Sequence, residues 1–192
     1  QSSGHLNCTA NDIDIAFATN VRGLDGQPVV QCLDGQSLTL LADVLVESNA
    51  SERYRIRMDF GTDGDPAGDG ALHGVCSSSV ITPLNPLTGL GSPNYVELSH
   101  PADKCGDIRS STPQTVTVRV DNVVCTAGAG GLLSVPNCVS WSQQDTGGCT
   151  GPLDALPGTG SKCNCNKGVT FPVRVEPGLL AAPKTATPTS LP

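Results

Sequence analysis

Three aspartates crowd one short, glycine-rich run. Asp63, Asp65 and Asp69 stand in Thr62-Asp-Gly-Asp-Pro-Ala-Gly-Asp-Gly, just after an alternating segment. A hard cation such as calcium needs several oxygens at about 2.3–2.6 Å, and closely spaced carboxylates can supply them. The glycines let the main chain fold so that carbonyls also point inward. These three residues are therefore candidate calcium ligands. The EF-hand pattern fails, because no glutamate follows at the twelfth position. The same run also reads as a solvated polar turn, since Asp-Gly is a common turn pair. The sequence leaves both readings open, and calcium is the one cofactor it suggests.

Nine cysteines carry the next chemistry, at Cys8, Cys32, Cys76, Cys105, Cys125, Cys138, Cys149, Cys163 and Cys165. None forms a Cys-x-x-Cys pair. Zinc modules bring thiolates in close pairs so that four ligands converge on one ion, and that arrangement is missing. Dispersed cysteines in a chain poor in aromatics point to disulfides, hence to an oxidising compartment. Nearest-neighbour closure suggests Cys8–Cys32, Cys76–Cys105, Cys125–Cys138 and Cys149–Cys163, although spacing does not determine connectivity. Cys163 and Cys165 flank Asn164; on this reading their thiols leave opposite sides of an extended chain and take different partners. Nine is odd, so one thiol is free or intermolecular, and Cys165 is the candidate.

Arg53, Arg55 and Arg57 alternate along one segment. They form either a patch for a ligand or a solvated face paired with carboxylates on a neighbouring strand, discouraging edge pairing. The histidines, His5, His73 and His100, lie in loop sequence without a nucleophile motif. No G-x-S-x-G, H-E-x-x-H or phosphate-cradling loop is present. The expectation is a non-enzyme, with a secreted hydrolase of unrecognised site as an alternative. Trp141, near Cys138, is expected to pack on a disulfide. Asn7-Cys-Thr and Asn49-Ala-Ser match the N-glycosylation pattern.

The elements that must position these residues follow from period-two alternation. Ile13, Ile15 and Phe17 alternate with polar or small neighbours. Leu38, Leu40, Ala42, Val44 and Val46 form a longer apolar face, with Leu41 and Leu45 on the other side. Tyr54, Ile56, Met58 and Phe60 alternate with the arginines and Asp59. Val116, Val118 and Val120 form another face, and Val169, Phe171, Val173 and Val175 the last. Pro172 lacks an N–H and predicts an edge or a bulge. Residues 61–113 read mostly as loop, with a short strand near Tyr95–Leu98. No helical period of useful length appears, and 22 glycines and 15 prolines supply the turns. With six aromatics in all, the core is expected to be aliphatic and reinforced by disulfides worth about 2–4 kcal/mol each.

These patterns predict an all-β, disulfide-stapled antiparallel β-sandwich, Ig-like, with long loops. It spans 8–176, with an N-terminal arm over 1–7 and a Pro/Thr/Ala-rich tail over 177–192. The tail is flexible or polyproline-like by composition. Either its own domain or a neighbouring subunit is expected to hold it. The opening Gln-Ser-Ser resembles the product of signal cleavage, and no apolar run is long enough to span a membrane. The net charge of −7 argues against nucleic acid and against anionic membrane surfaces.

The blocks CTANDIDIA, RYRIRMDFGTDGDPAGDGALHGVC, CGDI, VPNCVSW and CTGPLDALPGTGSKCNCNKGVTFPV resemble Cys-containing β-sandwich modules of bacterial secreted and cell-surface repeat proteins. The resemblance covers most of 8–175 and implies location and fold more than mechanism. In such modules an Asp-rich run lies between the cysteines matching Cys125 and Cys138. Here Thr126-Ala-Gly-Ala-Gly-Gly-Leu-Leu-Ser replaces it. That removes a second cation loop and leaves a small-residue strip able to approach another chain. One module instead of an array implies assembly between subunits. The leading expectation is thus an extracellular structural subunit that self-associates into a filament or pilus-like fibre by strand addition or tail docking. A calcium-stabilised cell-surface adhesin or binding module is the second reading.

Overall fold

The computed structural model describes residues 8, 10–62, 76–81, 94–96, 108, 110, 113–144 and 161–178; for 76–81, 94–96 and 166–167 it describes the main chain alone. The strands are β1 (Ile13–Arg22), β2 (Gln31–Leu33), β3 (Ser37–Ser48), β4 (Tyr54–Gly61), β5 (Cys76–Ile81), β6 (Asn94–Val96), β7 (Gln114–Val124), β8 (Leu132–Ser142) and β9 (Lys162–Glu176). The described residues add one 3-10 turn, Ala129–Gly131, and no α-helix. One sheet runs β1-β3-β7 and the other β2-β9-β8-β4-β5-β6. The expected all-β, disulfide-rich fold of packed sheets is borne out. The pairing is antiparallel inside both sheets. It departs from the all-antiparallel expectation at the two outer pairs of the larger sheet, β2–β9 and β5–β6, which are parallel. A parallel pair needs a long crossover instead of a hairpin, and β2 and β9 lie near opposite ends of the sequence.

Alternation builds the core. Leu40, Ala42, Val44 and Val46 of β3 and Val116, Val118 and Val120 of β7 face inward from the smaller sheet. Ile56, Met58, Phe60, Val139, Trp141, Val169, Phe171 and Val173 meet them from the larger one, in a single cluster. Each such burial is worth roughly 1.5–3 kcal/mol for a large side chain. The core is not purely aliphatic as expected. Trp141, Phe60 and Phe171 are wholly buried, and all three belong to the larger sheet. Arg53 and Ile108 exchange main-chain hydrogen bonds, 2.9 and 3.0 Å long, and bring Ile108 into the core.

Bulges decide what the alternation alone does not. The β1–β3 register slips between Ile15 and Phe17. One extra residue inverts every later side chain. Ile13 and Ile15 are buried, and after the bulge Ala18 and Val21 take over. Phe17, expected on the inner face, points outward opposite Leu45 and is 49% exposed. A second slip in β1 holds Asn20 at φ 48°, and one in the β3–β7 pairing holds Asn122 at φ 54°. Asparagine tolerates this left-handed region better than most residues. Pro172 also lies at a slip: Leu132 pairs with Arg174 and Leu133 with Phe171, leaving Pro172 and Val173 without opposites.

The strand β8 is a finding beyond the sequence patterns. Its inner positions are Leu133, Val135, Asn137, Val139 and Trp141. Pro136 and a polar inner residue disguise it. Pro136 stands just past Asn137, the last residue paired with β4, and faces Gly168 on β9. Of two further strands in the segment read mostly as loop, β6 (Asn94–Val96) overlaps the short strand expected near Tyr95–Leu98, and β5 was not expected.

The chain switches sheets at named bonds. Val29 N–H donates to Val21 C=O of the smaller sheet, and the next carbonyl, Val30, accepts from Arg174 N–H of the larger, both 2.9 Å. The strip after Cys125 folds back on β8: Gly128 N–H donates to Leu132 C=O at 2.8 Å. A Cβ at Gly128 would lie 2.5 Å from Ser134 Cβ. The close approach that small residues permit is thus made within the chain.

Candidate functional site

The disulfides organise the surface. Cys32 of β2 bonds to Cys125, just past β7, and so joins the two sheets. Cys8 bonds to Cys163, tying the N-terminal segment to β9. Main-chain bonds reinforce it: Ala10 N–H to Cys163 C=O and Cys165 N–H to Cys8 C=O, 3.1 and 3.4 Å. Cys138 bonds to Cys165 between β8 and β9. These pairings correct the nearest-neighbour expectations Cys8–Cys32, Cys125–Cys138 and Cys149–Cys163. Sequence neighbours are not sheet neighbours once the chain has switched sheets.

Cys165 is bonded, so it is not the odd thiol. Three bonds take six of the nine cysteines. The odd sulfur therefore falls among Cys76, Cys105 and Cys149, whose side chains lie outside the described residues. Residues two apart in a strand share a face, so Cys163 and Cys165 do not leave opposite sides. They do take different partners, and Asn164 between them turns inward. Asn164 is 7% exposed, and its Nδ2 donates to Ile13 C=O at 3.1 Å.

Two solvent-facing patches carry charged chemistry. On the smaller sheet Asp43 is the hub. Its carboxylate accepts from Asn20 Nδ2 at 2.7 Å, Thr117 Oγ1 at 2.7 Å and both terminal nitrogens of Arg22 at 3.2 Å. Burial acts to raise its pKa, but the bonds from Asn20 and Thr117 and the Arg22 charge outweigh it and hold the carboxyl below its ordinary 3.8. A carboxylate so committed is built to stay ionised and to fix the β1–β3–β7 register, not to exchange protons near neutrality.

On the larger sheet, Arg57 bonds Asp59 at 2.8 Å. Their main chains pair with Ser140 and Cys138 of β8, so the ion pair shares its face with the Cys138–Cys165 bond. Arg53 instead reaches Asp12, at 2.6 and 2.8 Å. Arg55 sits at φ 51°, where the β4–β8 register slips. Arg53 and Arg57 are thus carboxylate-paired, but not with a neighbouring strand as expected: Asp59 lies on β4 itself, and Asp12 just before β1 of the other sheet. The edge-protection role does not hold either, because β4 is interior to its sheet.

Edge protection is found elsewhere. Leu33 of edge strand β2 donates its N–H to Gln36 Oε1 at 3.0 Å, and its C=O accepts from Gln36 N–H at 2.9 Å. With Leu33's main-chain groups engaged, this short edge offers less to an incoming strand. The bulges of β1 act in the same direction.

The remaining sequence candidates fall differently. Asp63, Asp65 and Asp69, with His5, His73 and His100, lie outside the described residues. Among the described residues, no group of three His, Cys, Asp or Glu side chains could hold a metal, and no helix is long and apolar enough to cross a membrane. Trp141 is wholly buried on the inner face of β8, while Cys138 is on the outer. Asn49 is exposed, and its Nδ2 donates to Asn11 C=O at 2.7 Å.

Fold and cross-links together define a disulfide-rich all-β protein whose covalent bonds resemble those of chains matured in an oxidising compartment. No protein-family model matches the chain, and no curated protein matches it significantly.

Proposed function

We propose that this protein is an extracellular structural subunit that self-assembles into a filament or pilus-like fibre, with a chain terminus of one copy docking on the next. The observation that carries this reading is the placement of the three disulfides among the described residues. One joins sheet to sheet, one joins strand to strand, and one fastens Cys8 to the last strand. A block braced in this way keeps its shape under load outside the cell. The charged side chains support the same reading: Asp12, Asp43, Asp59, Asp121 and Glu176 each bond an arginine of the same chain.

Of the two routes to assembly, docking of the Pro/Thr/Ala-rich tail is favoured over strand addition at β1 or β2, and the edge strand β7 is the alternative acceptor. The β1 and β2 edges are bulged or engaged, and an added strand needs a straight row of open main-chain groups. A head-to-tail contact of this kind is open-ended and propagates.

The test is electron microscopy and non-reducing size analysis of the full chain beside a chain ending at Gly178. Regular fibres from the full chain and their loss from the shortened one support the proposal. A full chain that stays monomeric at high concentration overturns it. Fibres that survive the deletion overturn tail docking and return assembly to a sheet edge.

A further inference from the structure

The three disulfides among the described residues differ in what surrounds them. Cys32 and Cys125 are 4% and 0% exposed, inside the seam between the sheets. Cys163 is 5% exposed and its partner Cys8 is half-buried, so one end of that bond is covered. Cys138 and Cys165 are both half-buried on the outer face of the larger sheet. Thiol–disulfide exchange requires a thiolate to reach a sulfur, so access ranks the bonds before any other property does.

The scaffold beneath Cys138–Cys165 does not depend on that bond. Strands β8 and β9 are paired from Leu132 to Trp141, and β8 is also paired with β4. The side chains opposite the sulfurs' face, Val139 and Trp141, are in the core. Opening the bond leaves two thiols on adjacent, still-paired strands, ready to close again. Opening Cys32–Cys125 would instead remove a covalent tie between the sheets.

We propose that Cys138–Cys165 is an exchangeable disulfide, a site of attack by thiolate donors that opens while the two sheets stay folded. The thiolate of a dithiol attacks one sulfur, the Cys–Cys bond breaks, and the other cysteine leaves as a thiolate that takes a proton. The second thiol of the dithiol then displaces the first cysteine. Two electrons pass to the protein: one dithiol becomes a cyclic disulfide and one protein disulfide becomes two thiols. This does not rest on the fibre reading, and it adds to it a covalent point at which another thiol-bearing chain can be attached.

The experiment is brief treatment of the native full chain with a small dithiol, then alkylation and peptide mass spectrometry, with circular dichroism recorded in parallel. Cys138 and Cys165 are expected to be alkylated at least about tenfold faster than Cys32 and Cys125, with an unchanged β spectrum. Equal rates for both pairs, or alkylation of Cys138 and Cys165 only after the spectrum collapses, overturn the proposal. The Cys138→Ser/Cys165→Ser double variant separates site from background. Loss of the fast-reacting pair supports the assignment, and a fast pair that persists elsewhere overturns it.

Discussion

Asn164 of β9 donates a 3.1 Å hydrogen bond across the sandwich to the carbonyl of Ile13, the first residue of β1. The donor side chain is buried, and the acceptor residue is wholly buried. Each sheet thereby satisfies a polar group belonging to the other. Replacing Asn164 by alanine strands the Ile13 carbonyl without its partner, which costs about 1–3 kcal/mol. Urea denaturation of Asn164→Ala should show that loss with an unchanged slope. A midpoint within error of the wild type would mean that water replaces the amide.

Asp43 sets an acid limit. Its pKa is lowered in the folded chain, so the unfolded chain binds a proton more readily. The stability it contributes is complete above the ordinary value of 3.8 and is lost as pH falls below it. Asp43→Asn should cost roughly 1–2 kcal/mol at neutral pH, by loss of charge-assisted bonds to Arg22 and Thr117. The gap between the two melting curves should narrow toward about pH 2. A gap constant with pH would show that the carboxylate's charge is not what stabilises.

Ile15 and Phe17 look alike in the alternating pattern and should behave differently. Ile15 is 3% exposed and Phe17 49%. Ile15→Ala is expected to cost about 2–4 kcal/mol, as a cavity in the core does. Phe17→Ala should cost under about 1 kcal/mol, because its ring already meets water. Thermal melts of the two variants check this, and equal losses would refute the outward turn at the bulge.

Gly128 lies where the chain after Cys125 presses on β8. An alanine methyl there would fall 2.5 Å from Ser134 Cβ, which real contacts do not allow. Gly128→Ala should therefore lower stability by about 1–3 kcal/mol. Pairing it with Ser134→Gly should recover most of the loss, and no recovery would place the strain elsewhere.

Much of the fold was legible from residue order, because a two-residue period has one physical meaning: one face buried, one wet. That reasoning located β3, β4, β7 and β9 and put Pro172 at an irregularity. It missed β8, because Pro136 and Asn137 interrupt the signal that Leu133, Val135, Val139 and Trp141 would otherwise send. It misjudged Phe17, because a bulge is a property of two strands together and leaves little trace in either one.

The site shows the same division. Composition alone implied paired thiols: nine cysteines, few aromatics and no metal-ligand spacing. The partners were decided only by folding. Cys32 and Cys125 meet across a separation of 93 residues, and Cys8 and Cys163 across 155, because the chain crosses between the sheets repeatedly, from β1 through β4 and again around β7. Sequence sets which atoms can bond. Proximity after the sheets close sets which do, and proximity depends on pairings between distant segments.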